Sequence, residues 1–293
     1  MWLRTKKGYW VFFKVILRRA VVNNKMSNLK VVVAIPCFNT EHFIADVVIK
    51  ARKYIDEVIV IDDGSQDKTA EIALSAGAKV IKHDINRGKG AAMKTAVANT
   101  KADIIVFIDG DGQHDPNNIP KLLEPILQED ADFVIGSRYL NNSKLNRNPL
   151  TMRRITNVAA SFIISFIISV IQPFILFVNK RHLPRKIQQS KTKSTMTNYR
   201  ILNSHFKWVT DCTSGFTAMK LDNWNRLNLK SNGYQIETEM IFEQAINGFT
   251  IAETPISCIW NSKLSNLSII KDGFSTFVLL VGKFKDFSKS KND

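Results

Sequence analysis

Asp109-Gly110-Asp111 is the triplet whose spacing most directly implies chemistry. It closes the apolar run Ile104-Ile105-Val106-Phe107-Ile108. Two carboxylates one small residue apart can both reach one hard divalent cation, and Gly110 lets the backbone turn tightly between them. Mg²⁺ or Mn²⁺ held there would also neutralise a diphosphate. Most isolated Asp-Gly pairs are turns after a strand. Here Gln113-His114-Asp115-Pro116 follows at once and adds oxygen and nitrogen ligands. Asp62-Asp63-Gly64-Ser65 closes a second apolar run, Val58-Ile59-Val60-Ile61. A carboxylate there could accept from a base edge or a ribose hydroxyl, or Ser65 or Asp67 could simply cap the next helix. Asn86-Arg87-Gly88-Lys89-Gly90 opens a helix, where backbone N–H groups with Arg87 and Lys89 would favour phosphate. It lacks the P-loop spacing, and helix-start glycines explain it equally well.

These residues need elements to position them. Lys30–Ile35, Val58–Ile61, Ala78–Ile81, Asp103–Ile108 and Phe133–Ile135 read as strands. They alternate with helices near 41–53, 67–76, 90–99 and 117–128. Continuous apolar strands alternating with helices imply a parallel sheet covered on both faces. In such sheets ligands bind beyond the carboxyl ends of the strands. Pro36-Cys37-Phe38-Asn39, Asp62–Ser65 and Asp109–Asp111 all lie there, which places a pocket from strand order alone.

The charge is divided as sharply as the chemistry. The 293 residues carry a net charge of +15 and only three cysteines, too few for a disulfide framework. Residues 1–30 hold eight Lys/Arg and no acid, and 139–210 hold 12 and no acid, whereas 31–138 are net acidic with 12 bases against 17 acids. Both basic blocks contain long apolar runs, Trp10–Phe13 with Val15–Leu17 in the first and the uncharged stretch 155–179 in the second. Cationic residues beside aliphatic and aromatic faces suit an anionic membrane surface. A nucleic-acid partner is not expected, because base-reading polar groups are not interleaved with the charge. The first 25 residues lack a small-residue cleavage site, so a secretory signal is not expected, and Met26 is an alternative start.

Taken in order, Asp62-Asp63, Asn86-x-Gly-Lys-Gly and Asp109-x-Asp resemble the family 2 glycosyltransferases. Within them the closest likeness is to dolichyl-phosphate mannosyltransferases and other polyprenyl-phosphate glycosyltransferases. The resemblance covers about 31–140 and resumes over about 211–272. It implies an α/β fold of the GT-A (Rossmann-like) kind, a mostly parallel sheet with helices on both faces, plus membrane-associated helices. It also implies site residues. Pro36, Phe38 and Asn39, with Ile61, Asp63 and Lys89, match the nucleotide-sugar site, together with Asp109, Gly110 and Asp111. Asp109, Asp111 and Gln113 match the metal-binding Asp-x-Asp-x-Gln. Gly136-Ser137-Arg138 matches a loop whose arginine faces donor or acceptor phosphates. Asp211–Phe216, Gly233-Tyr234-x-x-Glu237-x-Glu239 and Ser262-Lys263-Leu264 match acceptor-side segments. The family's usual glutamate after Asn39 is Thr40 here, with Glu41 one place later, and its usual arginine after Ser-Gly-Phe is Thr217.

The implied reaction is metal-dependent transfer, with inversion, from a nucleotide-sugar of the GDP-mannose or UDP-glucose type to a polyprenyl or dolichyl phosphate. Asp111, Arg138, Glu237 and Lys263 are the catalytic candidates. An ionised phosphate acceptor needs no general base, so Arg138 and Lys263 would position the anions. A hydroxyl acceptor in cell-surface glycan synthesis would need one, and Glu237 or Glu239 is the candidate unless that pair is a solvated helix face with Glu243. A non-catalytic membrane-surface scaffold is the remaining alternative.

Residues that must share one pocket lie on both sides of 155–179. A single membrane crossing would separate them, so that segment is expected in the interface or as a re-entrant hairpin on the cytoplasmic face. The expected organisation is a basic aromatic segment over 1–30 and a nucleotide-sugar-binding half over 31–140. A basic and apolar insertion over 141–210, an acceptor-side half over 211–272 and a C-terminal helix and tail over 273–293 complete it.

Overall fold

The computed structural model describes residues 29–140 and 209–259, and between and beyond them 157, 161–162, 165, 200–202, 278–279 and 282–283. The basic segment before residue 29, most of the 141–210 insertion, Lys263 and most of 273–293 lie outside the described residues.

Five strands and four helices follow the expected alternation. They are β1 (Val31–Cys37), α1 (Ile44–Ala51), β2 (Glu57–Asp62), α2 (Thr69–Ser75), β3 (Lys79–Lys82), α3 (Lys89–Ala98), β4 (Ile104–Phe107), α4 (Ile119–Leu127) and β5 (Phe133–Ser137). After them come β6 (Arg200–Ile201), β7 (Thr217–Lys220), α5 (Leu221–Trp224), α6 (Ile236–Ile246) and β8 (Ile251–Pro255). The strands form one sheet in the order β3-β2-β1-β4-β7-β5-β8-β6. β1 to β4 pair in parallel, as do β5 and β8, whereas β7 runs antiparallel between β4 and β5, and β6 is antiparallel to β8. The sheet is therefore mixed, with β7 inserted where the alternating pattern alone would have set β5 beside β4.

Side-chain alternation along β1 separates two cores. Val31, Val33 and Ile35 pack with Ile44, Val47, Val48 and Ala51 of α1 and with Leu122, Leu123 and Ile126 of α4. Val32 and Ala34 pack on the other face with Ala92, Met93 and Ala96 of α3 and Ile236, Met240 and Ala245 of α6. The α1 residues fall at i, i+3, i+4 and i+7, the apolar stripe of a helix laid on a sheet. Both faces are thus covered, and the open regions are the strand ends.

Pro36 lies inside β1, opposite Ile61, rather than ending it. β4 pairs with β1 only as far as Phe107 opposite Ala34, so the ladder on that side has stopped before Pro36 and its missing N–H interrupts nothing. That early stop also frees the chain after β4 to turn outward as Asp109–Asp111.

Among the described residues no helix is long and apolar enough to cross a membrane. Of the uncharged stretch 155–179, Asn157, Ser161, Phe162 and Ser165 are described, all helical. Asn157, Ser161 and Ser165 are spaced four apart on one face and bond the segment 209–213. Ser165 Oγ accepts the Val209 N–H (2.9 Å), Ser161 Oγ accepts the Cys212 N–H (3.3 Å) and Asn157 Oδ1 accepts the Thr213 hydroxyl (3.0 Å). Phe162 is half exposed.

Candidate active site

The carboxyl ends of β1, β2, β4 and β5 meet at one edge of the sheet. Because β7 is antiparallel, the residues that precede it, Asp211–Gly215, enter at that same edge. This topology brings the first and second halves of the chain to one cleft.

At the end of β2 the two carboxylates have different surroundings. Asp62 is fully buried, and its Oδ1 accepts the Ser65 N–H at 3.0 Å. Its Oδ2 makes no hydrogen bond, with Lys82 Nζ 3.9 Å away. Asp63 gathers the loop after β3: its Oδ1 lies 2.6 Å from His83 Nδ1 and accepts the Arg87 N–H (3.0 Å), and its Oδ2 accepts the Gly88 N–H (2.7 Å). The backbone donors that open α3 therefore face Asp63, and the Ala91 N–H goes to the Asn232 carbonyl (3.2 Å). Asn86–Gly90 works here as a junction between the two halves, and within it the Arg87 and Gly88 N–H groups are already engaged by Asp63.

The turn after β1 is tied to the one after β2. Asn39 adopts a left-handed conformation (φ 52°), which asparagine tolerates better than most residues. Its N–H donates to Ser65 Oγ (2.8 Å) and its Oδ1 accepts the Gln66 N–H (2.9 Å). Glu41 Oε2 accepts the Lys68 N–H (3.0 Å), so the glutamate one place late braces the start of α2. Phe38 is half-buried beside this turn, and Ile61 is fully buried, with the Cys37 thiol donating to its carbonyl (3.5 Å).

Lys89 joins the first half to the second at the centre of the cleft. Its Nζ lies 2.5 Å from Asp109 Oδ1, it donates to Glu237 Oε1, and its side chain is 9% exposed. Burial alone would lower the Lys89 pKa, but the two carboxylates overcome it and hold the ammonium well above its usual range. Burial also raises Asp109, yet Lys89 brings that carboxyl below the usual range. Glu237 goes the other way: burial, joined by the Asp109 charge and opposed by Lys89, pushes it up to about 7. Asp111 Oδ1 accepts the Gln113 N–H (3.0 Å) and its Oδ2 accepts from Gln113 Nε2 (2.8 Å).

These residues fit a hard divalent cation in a specific sense. Asp109, Asp111 and the Gln113 amide offer oxygen donors, and Asp109 already holds a cationic group in Lys89. Among the described residues no three His, Cys, Asp or Glu side chains are grouped to hold a metal by themselves. Substrate phosphates would complete the coordination, as is usual for Mg²⁺ held by one or two carboxylates.

Gly215 fixes the position of Asp109. A Cβ on Gly215 would lie 2.1 Å from Asp109 Oδ2, so nothing larger than hydrogen fits. Gly215→Ala is expected to displace that carboxylate by about an ångström and to lower turnover about a hundredfold. Steady-state kinetics beside a thermal melt checks this, and wild-type turnover in a folded variant would refute it.

Arg138, at the end of β5, is 8% exposed and bonded on one side. Its Nε and Nη2 each donate to Asp211 at 2.7 Å, and Nη2 also faces the Thr213 carbonyl and hydroxyl at 3.0 Å. Burial would lower the arginine's pKa, and Asp211 more than reverses that. Behind this pair, buried Glu253 of β8 accepts the Thr210 N–H (2.7 Å) and hydroxyl (2.9 Å). Glu253 was not singled out from the sequence, although an acid in the otherwise uncharged strand Ile251–Pro255 is the available signal. Asp211 carries another: no acid occurs between Asp132 and Asp211, so it meets a long basic block alone.

The acidic face of α6 is not solvated. Glu239 accepts the N–H groups of Lys230 and Ser231 (both 2.8 Å), Glu243 accepts that of Asn228 (3.0 Å), and both bind the buried Lys283 ammonium at 2.9 and 2.6 Å. Those backbone bonds and Lys283 outweigh burial and hold Glu239 below its usual range. Of the two carboxylates named as base candidates, Glu237 stands in the cleft and Glu239 braces the loop before α6.

His114 is buried against Phe216, ring centroids 5.7 Å apart, and neither ring nitrogen has a hydrogen bond. Burial, reinforced by Arg138 and Lys89, pushes its pKa down to about 4. As pH falls below the ordinary 6.5, the unfolded chain takes up this proton before the folded one does. The stability is complete above 6.5 and is lost as pH falls towards 4. His114→Leu is expected to flatten the fall in urea midpoint over that window. An unchanged pH slope would show that His114 contributes nothing to it.

Residues 32–223 match Glycosyl transferase family 2, and the chain belongs to that family. It is 29% identical over 265 residues to an uncharacterized protein of Methanocaldococcus jannaschii, covering 88% of this chain and 93% of that one. It is 33% identical over 159 residues to the UDP-N-acetylglucosamine–dolichyl-phosphate N-acetylglucosaminyltransferase of Methanococcus voltae, covering 47% of this chain and 63% of that protein. The fold is similar to glucosyl-3-phosphoglycerate synthase from Mycobacterium tuberculosis crystallised with Mn²⁺, UDP-glucose and glycerol 3-phosphate. The TM-score is 0.59 at 20% identity, over 89% of this chain and 82% of that one. The protein is a glycosyltransferase.

Proposed function

We propose that this enzyme moves a sugar, with inversion, from a nucleotide-sugar to a polyprenyl phosphate at the cytoplasmic face of a membrane, using Mg²⁺ or Mn²⁺. The observation that carries the reading is the convergence of Asp109, Lys89 and Glu237 at the carboxyl end of β4, in a chain whose excess charge lies in two acid-free, apolar-rich blocks. The Methanococcus voltae relative supports the acceptor class by its name, and the Mn²⁺-containing structural neighbour supports the use of a metal.

Asp109 and Asp111, with Gln113, are assigned to the cation, which supplies charge neutralisation on the departing diphosphate. Pro36, Phe38, Asn39, Ile61 and Asp63 are assigned to the nucleoside side, and Lys89 and Gly110 to the phosphates. Arg138 and Lys263 are assigned to orienting the acceptor phosphate. An ionised phosphate oxygen needs no proton removed, so positioning and electrostatics account for the chemistry.

One observation favours a second reading. Glu237, pushed by burial above the usual carboxylate range, stands in the cleft beside Lys89, where a hydroxyl acceptor would require a general base. Membranes containing the enzyme, incubated with Mn²⁺, labelled GDP- and UDP-sugars and a polyprenyl phosphate, separate the two. Label entering lipid only with metal is the expected result. Donor binding without lipid labelling, and transfer to a sugar hydroxyl instead, would replace the first reading with the second.

A further inference from the structure

Lys89 is placed unlike a residue that waits for a ligand. It stands at the first turn of α3, and the backbone around it is fixed on both sides. Gly88, with φ 94°, donates to Asp63, and a Cβ on Gly88 or Gly90 would lie 2.4 or 2.5 Å from the Asn232 or Ser231 carbonyl oxygen. The helix start therefore cannot shift without breaking the junction between the two halves, and only the side chain is free to relocate. That side chain carries a permanent charge, is almost wholly enclosed, and bonds Asp109 and Glu237 together. The ring of Tyr234, 39% exposed, lies 5.9 Å from its Nζ.

We infer that the Lys89 ammonium is a resident counter-cation of Asp109, and that a divalent cation reaching Asp109 exchanges with it, releasing Lys89 towards the phosphates of the donor. This deepens the proposed function and rests on its placement of the metal at Asp109. The physical reasoning is direct. A buried carboxylate needs a positive partner, and Lys89 supplies it in the metal-free enzyme. A divalent cation on the Asp109 carboxylate would stand close to the Lys89 ammonium, and two positive charges so near each other repel strongly in so enclosed a site. The displaced ammonium keeps Glu237 within reach, can rest against the Tyr234 ring, and finds its best new partner in a diphosphate brought by the donor. Exchange also gives metal and donor binding a common cause. The cation alone must pay to expel Lys89, and the donor returns part of that cost by accepting it, so each raises the other's affinity.

The test compares wild type with Lys89→Met. Mn²⁺ binding is followed by electron paramagnetic resonance without nucleotide, and UDP and GDP binding by calorimetry with saturating Mn²⁺. With the competing ammonium gone, Lys89→Met is expected to bind Mn²⁺ alone roughly tenfold more tightly and the better nucleotide roughly tenfold more weakly. A lysine that merely contacts phosphate would weaken the nucleotide and leave Mn²⁺ alone unchanged, which would overturn the exchange. If wild type binds neither UDP nor GDP with Mn²⁺, the donor reading fails, while tighter Mn²⁺ binding in the variant would still uphold the exchange at Asp109.

Circular dichroism reports whether Lys89→Met folds. If it does not, acetic anhydride labelling of Lys89 in the wild type, read by mass spectrometry, decides the matter. The enclosed lysine should be slow to label without metal, faster with Mn²⁺ alone, and slow again with Mn²⁺ and nucleotide. Labelling that Mn²⁺ leaves unchanged would overturn the inference.

Discussion

Transfer is expected to fall by about three orders of magnitude when Asp109 is replaced by asparagine, with the fold intact. Charge stabilisation by a bound metal is worth several kcal/mol at the departing diphosphate, and each 1.4 kcal/mol is about tenfold in rate. Asparagine keeps the size of the side chain beside Gly215 while removing the charge and exchanging one carboxylate oxygen for an NH2 donor. Lys89 retains Glu237 as its partner, so the ammonium is not left alone in the site. Metal-dependent nucleotide binding should weaken in parallel, because the Asp109 carboxylate is assigned to the cation. The measurement is single-turnover transfer with a saturating donor, beside a thermal melt. A loss smaller than tenfold in a folded variant would remove Asp109 from the metal site and with it the centre of the proposed mechanism.

The first half of the fold could be read from sequence because its signals are local. Val31–Ile35, Val58–Ile61 and Ile104–Phe107 are continuous apolar runs made mostly of β-branched residues, which suit a strand covered on both faces. Their polar carboxyl ends then placed Asp63 and Asp109 at one edge without further information. β7 gave no such signal. Thr217-Ala218-Met219-Lys220 is short and mixed, and its antiparallel place between β4 and β5 depends on a return from far along the chain.

The same distance hid the partners. Lys89 was readable as a cation near phosphates, but its contact with Glu237, 148 residues away, was not. Arg87 and Gly88 read as anion-binding backbone because their N–H groups open a helix, and the anion they meet is the protein's own Asp63. The question over Glu237, Glu239 and Glu243 was open in sequence because α6 has no clean polar stripe: every residue from Ile236 to Ala245 is buried. What divides the three is the loop before the helix. Its N–H groups at 228, 230 and 231 engage Glu239 and Glu243 and leave Glu237 to the cleft.

Asp211→Ala should be the most damaging single change to stability among the paired residues. It would strand the Arg138 guanidinium, 8% exposed, without its bidentate partner. Breaking a buried pair by removing one member costs about 3–5 kcal/mol, since the remaining charge stays desolvated. For a chain of this size that corresponds to a melting temperature roughly 10 °C lower. A loss below about 2 °C would mean that the pair is not buried in solution. The double variant Arg138→Met/Asp211→Leu removes both charges and is expected to recover much of the stability, because an apolar pair of similar volume avoids the desolvation cost. Its turnover then separates two roles that one structure leaves superimposed. Among the described residues Arg138 Nη1 makes no hydrogen bond, while Nε and Nη2 hold the loop that precedes β7. If the double variant regains stability but not transfer, the arginine touches substrate through Nη1. If both return, its work is confined to anchoring Asp211–Gly215, and through Gly215 the position of Asp109.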